Sequence, residues 1–197
     1  MSTRKSERTR QRIVESANRL FYHQGFHNTS FTDVVMISGV PRGNIYYYFK
    51  TKDEILIAAI EYRLERIRAM LENWSGTIRT PVERLHRFID LLGDTSEALT
   101  QFGCPMGSLN AELGKANLDL QTHAAQLFRL FEDWLTDQFA ELGYADRARE
   151  LALRIISIGQ GISMMTHVHH DTELLQREQQ HLRQWLDQLA EGDEACL

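Results

Sequence analysis

Cysteine is nearly missing from this chain: Cys104 and Cys196 are the only two in 197 residues. Two thiols so placed supply neither a disulfide framework nor the paired spacing of a zinc site, so no metal is expected. Long apolar runs are missing as well. No segment is able to span a bilayer, and Met1-Ser2-Thr3-Arg4-Lys5 leads into polar sequence with no apolar signal region. These absences point to the cytoplasm and away from any membrane. Strand-like alternation is also absent, and without a strand no Gly-rich phosphate loop has its setting. No Ser, His and acid combination stands in the local context of a nucleophile. A helical small-molecule enzyme is thus the least favoured class, and no cofactor is expected.

What charge there is lies unevenly. The net charge of −5 argues, taken whole, against a nucleic-acid partner. Residues 1–52 nevertheless hold nine Lys or Arg against three Asp or Glu, a net of +6, which leaves −11 for residues 53–197. A basic head on an acidic body presents one end to a phosphate backbone and keeps the other away.

The stretch from Thr29 to Lys52 organises that head. Ser30 and Asp33 stand at capping-box spacing and start a helix at Phe31, with Val34 and Val35 facing inward. Gly39 ends it, and Pro41 pushes Val40 out of the helical region. A second helix then runs through Gly43, Ile45 and Phe49. Ile45 and Phe49 lie one turn apart and point to the core, which leaves Arg42, Asn44, Tyr47 and Lys50 on the outer face. Such side chains meet phosphates and base edges, and a helix fits the major groove. Before this pair, a helix over about Arg8 to His23 carries the stripe Ile13, Ala17, Leu20 and Phe21; Met1 to Ser6 reads as a solvated tail or a DNA-reaching arm.

The order Thr29-Ser30-Phe31, Gly39-Val40-Pro41-Arg42-Gly43-Asn44-Ile45-Tyr46-Tyr47-Tyr48-Phe49 and Lys52-Asp53-Glu54-Ile55-Leu56 resembles the DNA-binding domain of TetR-family transcriptional regulators over residues 8 to 60. Proline at position 41 departs from the serine cap common in that family. The resemblance implies a helix-turn-helix head over 1–52, a body over 53–197 that binds a ligand and dimerises, and about nine helices in an all-α fold. It adds Thr29, Ser30, Gly43, Tyr46, Tyr48 and Lys52 to the expected DNA contacts, with Lys52 and Arg42 on phosphates. The implied function is a repressor that leaves a palindromic double-stranded operator when a small-molecule effector enters the body.

Beyond the head, Thr51 and Glu54 cap a helix whose face Leu56, Ile60, Leu64, Ile67, Leu71 and Trp74 continues for five turns into the body. Thr80-Pro81-Val82-Glu83 starts another, with Leu85, Phe88, Ile89 and Leu92 inward. After a polar interval, a helix ends near Leu113, and a long stripe follows from Leu120 to Phe139. Asp146 is expected to cap a helix that is apolar on two sides, and Asp171 the last helix. Gly159 and Gly161 would let a second backbone come close, so Ile155, Gly159 and Ile162 are expected at a homodimer interface, with Leu182 and Trp185 from the last helix. Met106, Phe128 and Met164 are candidates for the ligand pocket. His167, His169, His170 and Asp171 read as a polar helix end. Cys104, in Gly103-Cys104-Pro105-Met106-Gly107, begins a helix whose dipole favours a thiolate, so thiol sensing is an alternative to a ligand; the bland reading is a small side chain packed under the helix that leaves the head.

Overall fold

The computed structural model describes residues 2–192, with side chains from Arg4 onward; Cys196 lies outside the described residues. Among them stand ten α-helices and no strand: α1 Ser2–Gln24, α2 Phe31–Ser38, α3 Arg42–Tyr48, α4 Lys52–Thr77, α5 Pro81–Asp94, α6 Ser96–Phe102, α7 Pro105–Leu113, α8 Leu118–Phe139, α9 Ala148–His169 and α10 Thr172–Ala190. The all-helical expectation holds. The helix that periodicity did not reveal is α6, where a polar interval was expected. It is seven residues long and buries one side chain, Leu99, too little to make a stripe.

The chain divides into two compact units, residues 1–66 with 108–127, and residues 67–107 with 128–197. The border expected at 52/53 therefore falls within α4, whose first turns bury Ile55, Leu56, Ala59 and Ile60. The first unit also takes in the end of α7 and the start of α8.

In the first unit α1 starts at Ser2, so the polar tail is helical, and it buries Ile13, Val14, Ala17 and Phe21. These join Phe26, Val34, Val40, Ile45 and Phe49 as the head's buried core. Truncating so buried a side chain as Ile45 to Ala costs about 2–5 kcal/mol, a large share of a small unit's stability.

The second unit is a helical bundle. Its core holds Leu85 and Ile89 from α5, Phe131, Leu135 and Phe139 from α8, Leu151 and Ile155 from α9, and Leu182 and Leu186 from α10. Thr80 and Glu83 close the expected capping box on α5, and Asp171 Oδ1 accepts from Glu173 N at 2.8 Å and Leu174 N at 3.0 Å to start α10. Asp146 does not cap α9. It sits in a short 3₁₀ turn, and α9 begins after Arg147 with no side-chain cap. The α8–α9 connection reverses at Gly143, whose φ of 108° is open to glycine at little cost.

Candidate functional site

The head presents a helix-turn-helix. Ser30 Oγ accepts from Asp33 N at 3.1 Å, and the Asp33 carboxylate accepts from Ser30 N at 2.7 Å, so α2 starts with the expected box. That box holds the Asp33 carboxyl below the usual carboxylate range, first through the Ser30 backbone N–H and then through its hydroxyl. Gly39, at φ 61°, ends α2 by donating to Val35 O. Pro41 precedes α3 and supplies a carbonyl for Asn44 N and Ile45 N, with no side-chain cap.

Ile45 and Phe49 are buried as expected, and α3 turns Arg42, Gly43, Asn44 and Tyr47 outward, Tyr47 at 75 % exposure. Tyr46 lies flat on Phe31, ring centroids 4.6 Å apart, and the Arg42 guanidinium stands over both rings. This stack holds Arg42 along the helix, a cation–π arrangement that limits its rotamers. Tyr48 is half-buried, its hydroxyl 3.0 Å from Ser6 Oγ on α1. Ser30 is exposed at the start of α2.

Two of the expected DNA contacts point inward. Thr29 is fully buried, and its hydroxyl donates to Gly25 O at 2.7 Å. Lys52 is half-buried: its ammonium donates to Phe26 O at 2.8 Å and Thr29 O at 3.0 Å and lies 4.2 Å from the Phe26 ring centre. Both side chains are tied to the carbonyls of the α1–α2 loop rather than set on an outer face. The reason is local, since the loop's carbonyls lack helical partners and a lysine at the start of α4 satisfies them. Sequence reasoning likewise missed Arg12, whose guanidinium caps Ser38 O at the end of α2.

The same loop is gripped from its other side by Glu112 on α7. One carboxylate oxygen accepts from Phe26 N at 2.9 Å and the other from His27 N at 2.6 Å. Gly25, at φ 84°, permits the approach, since a Cβ there would stand 3.1 Å from Glu112 Oε2. No periodicity marks this residue; a glutamate near a helix end looks like any solvated charge.

The second unit holds a partly open cavity of about 180 Å³. Phe88, Leu92 and Leu99 form one part of its wall, Phe128 and Phe131 another, and Ile155, Ile156 and Gly159 of α9 a third. The α6–α7 corner adds Cys104, Pro105 and Met106. Of the expected pocket residues, Met106 and Phe128 line it. Met164 does not, being 61 % exposed on the outer side of α9. Cys104 faces the cavity, its sulfur accepting from Gly107 N and from the Gln160 amide, both at 3.4 Å.

The expected dimer contacts need correction. Ile155, Ile162 and Leu182 are buried within the chain's own core, and Gly159 lines the cavity, where an added Cβ would meet nothing within 4 Å. Trp185 is half-buried, with Arg154 over its ring. Helix α9 is apolar on two sides as expected, but the outward side is Leu153, Met164, Met165 and Val168, with Gly161 between them. His167 Nδ1 and His170 Nδ1 both approach Thr100 O, at 3.1 and 3.2 Å, where α6 leaves a carbonyl without a helical partner.

Comparison with known proteins adds identity to this geometry. Residues 13–59 match the profile described as bacterial regulatory proteins, tetR family, and residues 81–181 match that of the transcriptional regulator LmrA/YxaF-like C-terminal domain. The HTH-type transcriptional regulator YxaF of Bacillus subtilis is 29% identical over 168 residues, covering 83% of this chain and 87% of its own. LmrA of the same organism, also named an HTH-type transcriptional regulator, is 24% identical over 177 residues, 85% of this chain and 91% of its own. A TetR transcriptional regulator from Chloroflexus aurantiacus superposes with a TM-score of 0.81 at 25% identity, over 94% of this chain and 97% of that one. Among the described residues, no helix is long and apolar enough to cross a membrane.

Proposed function

Because the chain belongs to the TetR family of transcriptional regulators, with an LmrA/YxaF-like C-terminal domain, we propose that it is a cytoplasmic homodimeric repressor released from its operator by a small molecule bound in the cavity. The observation that carries the reading is the outer face of α3, where Arg42, Asn44 and Tyr47 stand exposed on a head of net charge +6. Asn44 and Tyr47 read base edges, and Arg42, held by its ring stack, meets a phosphate. Two such heads fit two successive major grooves of a palindrome, so a second copy is required. The outward apolar side of α9 supplies its contact.

Release follows as a population shift. Helix α7 starts at the cavity with Pro105 and Met106 and carries Glu112 seven residues after Pro105, about 10 Å along the axis. A ligand that displaces the first turn of α7 displaces the carboxylate that holds the Phe26 and His27 amides, and with it the loop between α1 and α2. Ligand therefore favours head positions that no longer match the groove spacing.

Fluorescence anisotropy with the DNA upstream of the protein's own gene tests the reading. Saturable, salt-dependent binding that Asn44→Ala alters in sequence preference is expected; equal binding to operator and random duplex refutes it. A second reading, thiol sensing, draws on the position of Cys104 Sγ at the cavity wall beside two N–H donors. It requires that N-ethylmaleimide release the wild type from DNA and leave Cys104→Ser bound.

A further inference from the structure

We propose that the cavity takes a neutral phenol, a single aromatic ring with one hydroxyl group, whose proton is accepted by the Gln160 side-chain carbonyl; this rests on the cavity being the effector site. Volume sets the size. At about 180 Å³ the space is slightly larger than the roughly 150 Å³ of an engineered cavity that takes up benzene. One six-membered ring with one or two small substituents fills it.

The lining sets the charge. It contains no Asp, Glu, Lys, Arg or His. A carboxylate or ammonium entering it would shed its hydration and find no counter-charge. The lining also sets the shape: the Phe88 and Phe131 rings lie 5.5 Å apart at 59°, a tilted pair against which a third ring packs edge to face.

The remaining feature is the polar part of the lining. Four lining side chains carry a polar atom: Thr95, Cys104, Gln160 and Ser163. The Thr95 hydroxyl proton is spent on Leu91 O at 2.6 Å and that of Ser163 on Gly159 O at 2.8 Å, so neither donates into the cavity. Cys104 Sγ already accepts from Gly107 N and from the Gln160 amide N–H. Gln160 Oε1 meets no hydrogen-bond donor among the described residues. Glycine at 107 is what lets this oxygen lie against α7, because a Cβ there would stand 2.5 Å from it. Gln160 thus offers its carbonyl oxygen as an acceptor and its second amide N–H as a donor; a hydroxyl, both donor and acceptor, can answer either, whereas a ketone or ether leaves the oxygen unmet, and a phenol remains un-ionised at neutral pH.

Calorimetry on the full chain with p-cresol, toluene and p-toluate tests this, since the three share a ring and a methyl group. The wild type should bind p-cresol about three- to tenfold more tightly than toluene, the worth of one hydrogen bond, and should not bind p-toluate. Gln160→Leu should bring the cresol-to-toluene ratio to about one, and Gly159→Leu, which fills the cavity, should abolish binding of both. Absence of p-cresol binding, p-toluate binding as tight as p-cresol, or a preserved ratio in Gln160→Leu overturns the proposal. An operator-release assay separates it from the reading beneath it. Binding of p-cresol without DNA release supports the ligand class and refutes release by the cavity's ligand, whereas release by p-toluate, blocked in Gly159→Leu, does the reverse.

Discussion

Removing the Glu112 carboxylate should loosen the α1–α2 loop and uncouple the cavity from DNA. In the intact protein it accepts two backbone hydrogen bonds, from Phe26 N at 2.9 Å and His27 N at 2.6 Å. A hydrogen bond to a charged group contributes about 1.5–3 kcal/mol. His27 is exposed, so water takes over its amide when the carboxylate is gone, whereas Phe26 is 4 % exposed and has less recourse to solvent. A net loss of about 2 kcal/mol in Glu112→Ala follows, with roughly half of that in Glu112→Gln, which keeps one acceptor oxygen. For a chain of this length, melting in one transition, 2 kcal/mol corresponds to a fall of about 4–8 °C in Tm. Hydrogen exchange gives the local readout: the Phe26 and His27 amides should exchange about thirtyfold faster in Glu112→Ala, and amides in α9 at the wild-type rate. Ligand affinity should stay the same while ligand-induced DNA release weakens. Wild-type exchange at Phe26 and His27 would refute the clasp, and undiminished release would refute its part in coupling.

Three further expectations concern other residues. In a salt titration, Asn44→Ala should alter sequence preference without changing the salt slope, whereas Lys52→Ala should lower Tm and leave the slope intact, because its ammonium is tied to Phe26 O and Thr29 O; a slope reduced by about one would return Lys52 to the phosphates. Met165→Glu with Val168→Glu, on the outward side of α9, should sediment as a monomer and lose operator affinity, and an intact dimer would move the interface elsewhere. Asp33 has a folded pKa lowered chiefly by the Ser30 backbone N–H, so its contribution is full above the ordinary aspartate value near pH 4 and is lost as pH falls through the lower folded value. Asp33→Asn should therefore narrow its Tm deficit against the wild type on acidification, and a deficit constant with pH would contradict the box.

The head was legible because its signals are local. Capping residues, Gly39 and Pro41 fix where helices begin and end, and Ile45 with Phe49 fixes which side of α3 faces out, all within a few residues of one another. Thr29 and Lys52 were misjudged for the complementary reason. Their partners, Gly25 O, Phe26 O and Thr29 O, are backbone carbonyls of a loop, and a sequence does not display which carbonyls a turn leaves unpaired. Glu112 went unnoticed on the same ground, since its partners lie 85 and 86 residues away.

Helix α9 shows where periodicity stops being informative. A helix apolar on two sides announces two partners but not which side meets which, and a buried glycine reads equally as a place for a second backbone or as a wall of empty space. The structure separates these: Gly159 borders the cavity, and Gly161 lies on the exposed side with Met164 and Met165. One turn of α9 thus faces the cavity through Gly159 and Gln160 and solvent through Gly161 and Met164. A ligand that pushes on the inner side of that turn bears on the surface through which we propose a second copy packs. In a dimer it would have two routes to the heads, through α7 to the α1–α2 loop and through α9 to the partner. Glu112→Ala cuts only the first, so residual release in that variant that disappears when α9 is also made monomeric would assign the remainder to the second.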